Sequence, residues 1–131
     1  MKPTILCIED HSDNMMLIRR IFRPESYNLI GAQNGVEGLS IVESQELDLI
    51  LLDINLPDID GYEIARRIRS SSKAALTRIP IIAVTANAMK DDAQKAINAG
   101  CNLYMSKPIN IVELAEKVDA LVQKKRQRDT I

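Results

Sequence analysis

A chain of 131 residues with formal net charge −1 has room for one compact domain and no bulk charge to drive binding to nucleic acid or a membrane. Hydrophobic residues make up 46% of it, enough for a packed core, while aromatics at 3% with no Trp argue against a base-stacking surface. The two cysteines, Cys7 and Cys101, lie far apart in apolar surroundings and are expected to be free and buried. With His11 as the single histidine, no zinc site can be assembled from Cys and His. No signal peptide and no membrane-spanning run is present, so a cytoplasmic location is expected.

In chain order, Thr4 to Glu9 reads as a buried strand, followed by a helix capped by Ser12 or Asp13 with Met15, Ile18, Ile21 and Phe22 inward. Pro24 ends that helix. A second strand is expected over roughly Asn28 to Gln33 and a second helix over Gly35 to Ser44. Asp48 to Asp53 holds four apolar residues between charged ends, the pattern of a central parallel strand covered on both faces. A loop over Ile54 to Asp60 leads to Gly61 and a third helix, with Ile64, Ala65 and Ile68 on one side and Arg66, Arg67 and Arg69 elsewhere. Pro80 opens a strand ending at Thr85, and a polar, Ala-rich helix over roughly Lys90 to Ala99 ends at Gly100, a helix-terminating glycine. A short strand, Asn102 to Met105, precedes Lys107 and Pro108. The last helix carries the stripe Ile111, Leu114, Ala115, Val118, Leu121 and Val122, and Asn110 with Glu113 forms a capping-box-like start. Residues 1–124 thus form the domain, and 125–131 a short basic tail, read as a solvated helix end. Met1 and the shortness of that tail are expected of a stand-alone protein.

Five βα units in series, with right-handed crossovers, give a doubly wound α/β fold with a five-stranded parallel sheet. Ligands of such sheets bind beyond the carboxyl ends of the strands. Standing there are Glu9 and Asp10 after the first strand, Asp53 on the third, Thr85 on the fourth and Lys107 after the fifth. Each close pair of carboxylates costs on the order of 1–4 kcal/mol, a cost that a hard divalent cation such as Mg2+ removes. The same cation shields an incoming phosphoryl group. By chemical type, Asp53 is the nucleophile, Asp10 and Glu9 hold the metal, Glu9 directly or through water, and the backbone carbonyl of Asn55 can complete the shell. Lys107 neutralises phosphoryl oxygens and the Thr85 hydroxyl hydrogen-bonds one of them.

Over roughly Thr4 to Val122 the chain resembles a response regulator receiver (CheY-like) domain. The matching pieces are Ile8-Glu9-Asp10, Leu52 to Pro57 running on to Asp60-Gly61, Ala83 to Ala86, and Tyr104 to Pro108. The resemblance implies a flavodoxin-like fold with strand order 2-1-3-4-5 and a single-domain switch that signals by protein contact and is no enzyme beyond its own phosphorylation and dephosphorylation. It implies a histidine kinase or histidine phosphotransfer protein as donor. It also implies a downstream partner on the surface of helix 4, strand 5 and helix 5, in a monomer or a phosphorylation-dependent dimer. Pro108 would follow a cis peptide bond that turns Lys107 into the site, Thr85 and Tyr104 would act as the switch, and Asn55 and Asn87 would modulate phosphoryl lifetime. Many relatives carry two aspartates where this chain has Glu9-Asp10.

Three other readings compete with this one. A haloacid-dehalogenase-type Mg2+-dependent phosphatase also uses a strand-end aspartate, but pairs it with a second acid two residues on, here Asn55, and carries a cap this chain lacks. A receiver module cut from a hybrid kinase shares every motif, and a docking-only pseudo-receiver would not need the five-residue site. His11 beside the acidic pair is expected to be solvated rather than a ligand, and Asp58 to Gly61 fails as a calcium loop because Leu56 and Arg67 would fall on ligand positions.

Overall fold

The computed structural model describes residues 2–86 and 91–129. Five strands, β1 (Thr4–Ile8), β2 (Asn28–Ala32), β3 (Leu49–Asp53), β4 (Ile81–Thr85) and β5 (Leu103–Ser106), form one parallel sheet in the order β2-β1-β3-β4-β5. The helices are α1 (Ser12–Ile21), α2 (Gly35–Ser44), α3 (Gly61–Arg69), α4 (Asp92–Ala99) and α5 (Ile111–Asp129). This is the expected doubly wound, flavodoxin-like topology.

Side-chain alternation along the strands sorts the core into two layers. Ile5, Cys7, Leu49, Leu51, Ile82 and Val84 pack with Ile18 of α1, with Phe22 at its C-cap, and with Leu114, Val118 and Val122 of α5. Leu6, Ile8, Ile50, Leu52, Ile81 and Ala83 pack with Val42, Ile64, Ala65, Ile68, Ala96 and Ala99 from α2, α3 and α4. β3 and β4 are buried along their whole length, as the apolar run before Asp53 requires of central strands. Both cysteines are free and buried. Burial, then the carboxylates of Glu9 and Asp53, hold the Cys7 thiol far above its ordinary range, and burial pushes Cys101 up to about 11, so both stay protonated packing groups. Among the described residues no helix is long and apolar enough to cross a membrane.

Several boundaries differ from the sequence expectation, each for a local reason. α1 is capped by His11, not by Ser12 or Asp13, and no side chain closes its first turn. β2 stops at Ala32 because the Gln33 amide turns to the Glu37 carboxylate of α2 at 3.3 Å. β5 is shifted one residue on: the Asn102 side chain accepts the Ile81 amide at 2.9 Å, and the last ladder bond runs from the Lys107 amide to the Thr85 carbonyl at 2.8 Å. The expected first residue of the fourth helix, Lys90, and the lifetime position Asn87 lie outside the described residues. Among the described residues one 3-10 turn, Ala74–Thr77, lies where the sequence predicts no element; it buries Leu76 in the α2–α3–α4 layer. α5 runs on through the basic stretch to Asp129, with Lys125 Nζ 2.8 Å from Asp129 and 3.6 Å from Asp48.

Arg69 joins three elements: it donates to the Gly100 carbonyl at the end of α4 (2.9 Å), to the Leu76 carbonyl (3.0 Å) and to Asn102 Oδ1 at the start of β5 (2.9 Å). Gly100 sits at φ 102, and a Cβ there would come within 2.6 Å of Arg69 Cγ, so the turn needs glycine for conformation and for space. Arg69→Ala is expected to cost about 2 kcal/mol by stranding acceptors that are partly shielded from water. Lys at this position should not restore the loss, since one ammonium cannot reach three acceptors in a fork. Urea denaturation of the three proteins decides it: equal midpoints would contradict this role.

Candidate functional site

The site forms where β1, β3, β4 and β5 end. Register sets Ile8 beside Leu52, so Glu9 stands level with Asp53, and Thr85 pairs with Ser106. Alternation then divides the candidate site residues. Glu9 and Asp53 continue the Ile5/Cys7 and Leu49/Leu51 rows toward α1 and α5, whereas Thr85 and Tyr104 continue rows facing α4. Glu9, Asp53 and Thr85 are 3%, 3% and 1% exposed, the buried polar or charged residues among those described.

Lys107 enters from the turn after β5, where the Lys107–Pro108 peptide is cis as expected. Its Nζ lies 3.1 Å from Glu9 Oε1 and 3.3 Å from Asp53 Oδ2, bridging two carboxylates. Burial raises the Asp53 carboxyl above its ordinary value; the Asn55 amide at 2.9 Å opposes this, Glu9 adds to it, and Lys107 offsets part. Burial by itself lowers the Lys107 ammonium, but Glu9 and Asp53 outweigh it and hold it above the usual lysine range. The cluster is therefore a strained charge arrangement with more negative groups than the ammonium neutralises.

Glu9, Asp10, His11 and Asp53 each offer a ligand atom, all within 4.8 Å of one another. Among the described residues Asp10 Oδ1 is buried and accepts no hydrogen bond, which in a carboxylate is costly unless a cation is its partner. The three carboxylates Glu9, Asp10 and Asp53 fit a hard divalent ion. His11, expected to be solvated, has a side chain 64% exposed but aims Nδ1 at the cluster, 3.3 Å from Glu9 Oε2 and 3.2 Å from Asp10 Oδ1. Its position directly after the acidic pair was the signal available in the sequence.

Asn55 does more than offer a carbonyl. Its Oδ1 accepts from Thr85 Oγ1 at 3.1 Å and from the Ala86 amide at 3.2 Å, tying the β3–α3 loop to the end of β4. This side chain occupies the position where a phosphatase of the dehalogenase type needs its second acid, and it is spent on the scaffold. Among the described residues the Tyr104 hydroxyl is buried without a hydrogen-bond partner, while its ring packs on the α4-side core.

Two devices fix the loop that presents Asp53. Asp58 accepts the Gly35 and Val36 amides at 2.8 and 2.9 Å, so it anchors the loop on the start of α2, and Asp60 caps α3 through the Tyr62 amide at 2.8 Å. Those acids, which hinted at a calcium loop, are caps. Gly61 closes the loop against β3: a Cβ there would lie 2.5 Å from Ile54 Cα and 2.8 Å from the Asp53 carbonyl, both backbone atoms that cannot swing aside. Gly61→Ala is expected to cost about 2–3 kcal/mol and lower Tm by roughly 5–10 °C. A thermal melt matching the parent would show that the loop has slack.

Residues 5–119 match the family model described as the response regulator receiver domain. The polar-differentiation response regulator DivK of Brucella anthropi is 36% identical over 118 residues, covering 90% of this chain and 94% of that protein. Among solved structures, the receiver domain of sensor histidine kinase PA1611 from Pseudomonas aeruginosa PAO1, with a magnesium ion coordinated in its active site cleft, is 33% identical. It superposes with a TM-score of 0.83, covering 94% of this chain and 99% of that one. A CheY-like receiver domain protein from Methanospirillum hungatei JF-1 is 28% identical with a TM-score of 0.85, covering 98% and 99%.

Proposed function

The chain belongs to the response regulator receiver family, the phosphoryl-accepting components of two-component phosphorelays, and from that premise we propose that Asp53 is the residue that takes the phosphoryl group. The observation that carries this is the buried Asp53 carboxylate, held at 2.9 Å by the Asn55 amide and at 3.3 Å by the Lys107 ammonium beside Glu9. A carboxylate oxygen of Asp53 forms the new P–O bond as the P–N bond of a phosphohistidine on the donor breaks, and the imidazole leaves with the electron pair. The donor is a histidine kinase or a phosphotransfer protein.

Lys107 neutralises the phosphoryl oxygens as they approach. Asp10 and Asp53, with Glu9 and the backbone carbonyl of Asn55, would hold Mg2+; the buried Asp10 oxygen that accepts no hydrogen bond among the described residues and the magnesium of the PA1611 receiver support this set. When bound, the ion supplies positive charge against the phosphoryl oxygens and lets the carboxylates crowd.

Thr85 then exchanges its bond to Asn55 Oδ1 for one to the phosphoryl group, and Tyr104 moves inward behind it. The shared α4-facing side of Thr85 and Tyr104, and the unsatisfied Tyr104 hydroxyl, support this coupling. Partner contact follows on the α4–β5–α5 surface, where Ile97, Ile111 and Val112 stand exposed. The protein is a signalling module whose own chemistry is limited to gaining and losing its phosphoryl group, as a monomer or a phosphorylation-dependent dimer.

Incubation with acetyl phosphate and Mg2+, followed by intact mass, is expected to show one added phosphoryl group, and none in EDTA. Multiple turnover of unrelated phosphate esters would instead favour a phosphatase.

A further inference from the structure

We propose that His11 is a ligand of the same metal shell, so that this site takes a nitrogen donor and binds borderline divalent ions such as Mn2+, Ni2+ and Zn2+ through an imidazole that a purely carboxylate site lacks. The proposal rests on the receiver reading for the presence of a cation and adds the identity of one of its ligands.

Spacing is the first argument. Ligands about 2.1 Å from one ion stand about 3.0 Å apart as neighbours in an octahedral shell and about 3.4 Å apart in a tetrahedral one. His11 Nδ1 lies 3.2 Å from Asp10 Oδ1 and 3.3 Å from Glu9 Oε2, between those values. The second argument is direction. At 3.2 Å, Asp10 Oδ1 and His11 Nδ1 are near enough to hydrogen-bond, yet Asp10 Oδ1 is buried without any such bond. Two atoms that close, and not aligned as donor and acceptor, are disposed as two ligands converging on a third point once Nδ1 carries its lone pair. The third is the backbone. The His11 amide donates to Glu9 Oε2 at 3.1 Å, which folds the residue back over the carboxylates and brings its ring to the mouth of the cluster.

The competing role is a hydrogen bond from Nδ1 to Glu9 Oε2, whose 3.3 Å length is weak by the usual geometry. The two roles differ in what the ring does for different metals. An imidazole that only orients Glu9 affects every cation alike, whereas a ligating imidazole favours ions with affinity for nitrogen over Mg2+. The His11 side chain makes no cap bond for α1, and its amide bond to Glu9 is independent of the side chain, so His11→Ala is expected to keep the fold and the Glu9 orientation.

The test uses the full, tag-free chain and His11→Ala at pH 8, with Mg2+, Ni2+ and Zn2+ titrated separately by calorimetry and the Mn2+ complex studied by pulsed electron paramagnetic resonance. The expected result is a loss on the order of tenfold for Ni2+ and Zn2+ in the variant, with Mg2+ changed by less than about twofold. Nitrogen modulation from a bound imidazole should appear on Mn2+ in the parent and vanish in the variant. Absence of that modulation in the parent, or an equal loss for all three cations, would overturn the proposal. The receiver reading fails by a separate sign, no phosphoryl uptake by the parent with acetyl phosphate and Mg2+.

Discussion

Asp53→Asn is expected to lose phosphoryl uptake completely and, in EDTA, to melt at a higher temperature than the parent. The first half follows from chemistry: an amide oxygen is too weak a nucleophile to displace the donor. The second follows from the cost of the site. Burial and Glu9 make the ionised Asp53 unfavourable in the folded state, more than the Asn55 amide and Lys107 repay. Because its folded pKa is raised, the native state binds more protons than the unfolded chain between the ordinary carboxylate value and the raised one. Stability therefore falls as pH rises through that window, and the deficit is full above it. The Tm advantage of Asp53→Asn should be largest near neutral pH and shrink as pH drops toward the ordinary carboxylate range. Mg2+ should reverse the order, raising the parent's Tm more than the variant's. A variant that melts below the parent in EDTA at neutral pH would mean that Asp53 stabilises the fold.

Lys107→Ala should have the opposite effect on the apoprotein. Without the ammonium that sits 3.1 Å from Glu9 and 3.3 Å from Asp53, two buried carboxylates face each other across the strand ends. Stranding charges in this way costs on the order of 2 kcal/mol once solvent at the site mouth is allowed for, a Tm drop of roughly 5–10 °C. Added Mg2+ should recover much of the loss, because the cation and the ammonium neutralise the same charge. Signalling should not recover, because in the proposed mechanism no ammonium then meets the phosphoryl oxygens. Measured by differential scanning calorimetry with and without Mg2+, an unchanged Tm in EDTA would show that Glu9 and Asp53 do not depend on Lys107.

The two mutants together separate stability from function at one point. Removing the acid is expected to stabilise and inactivate, and removing the ammonium to destabilise and inactivate. At a site selected for stability, removing the acid would lower the Tm; at a site built to receive a charged group, removing it is expected to raise the Tm.

Much of this was legible in the residues. The apolar run ending at Asp53 announced a central strand, and the order of short apolar runs and amphipathic stripes required a parallel sheet whose ends collect Glu9, Asp53, Thr85 and Lys107. What sequence could not supply was long-range pairing. Asp58 anchoring α2 from 22 and 23 residues away, Arg69 reaching Gly100 and Asn102, and the Asn55 side chain holding Thr85 depend on elements brought together by the fold and leave no local pattern. His11 was discounted because a lone loop histidine is ordinarily solvated; only the folded-back amide at Glu9 Oε2 reveals where its ring sits. Element ends moved by a residue where a side chain, such as Asn102, replaced a backbone partner.

The most direct measurement is the location of the phosphoryl group. The parent chain, treated with acetyl phosphate and Mg2+, is trapped with borohydride, which reduces an aspartyl phosphate to homoserine, and then digested and sequenced by mass spectrometry. Homoserine at position 53, and nowhere in EDTA-treated protein, is the expected result. Trapped label at another carboxylate, or uptake that persists in Asp53→Asn at the parent's level, would contradict it.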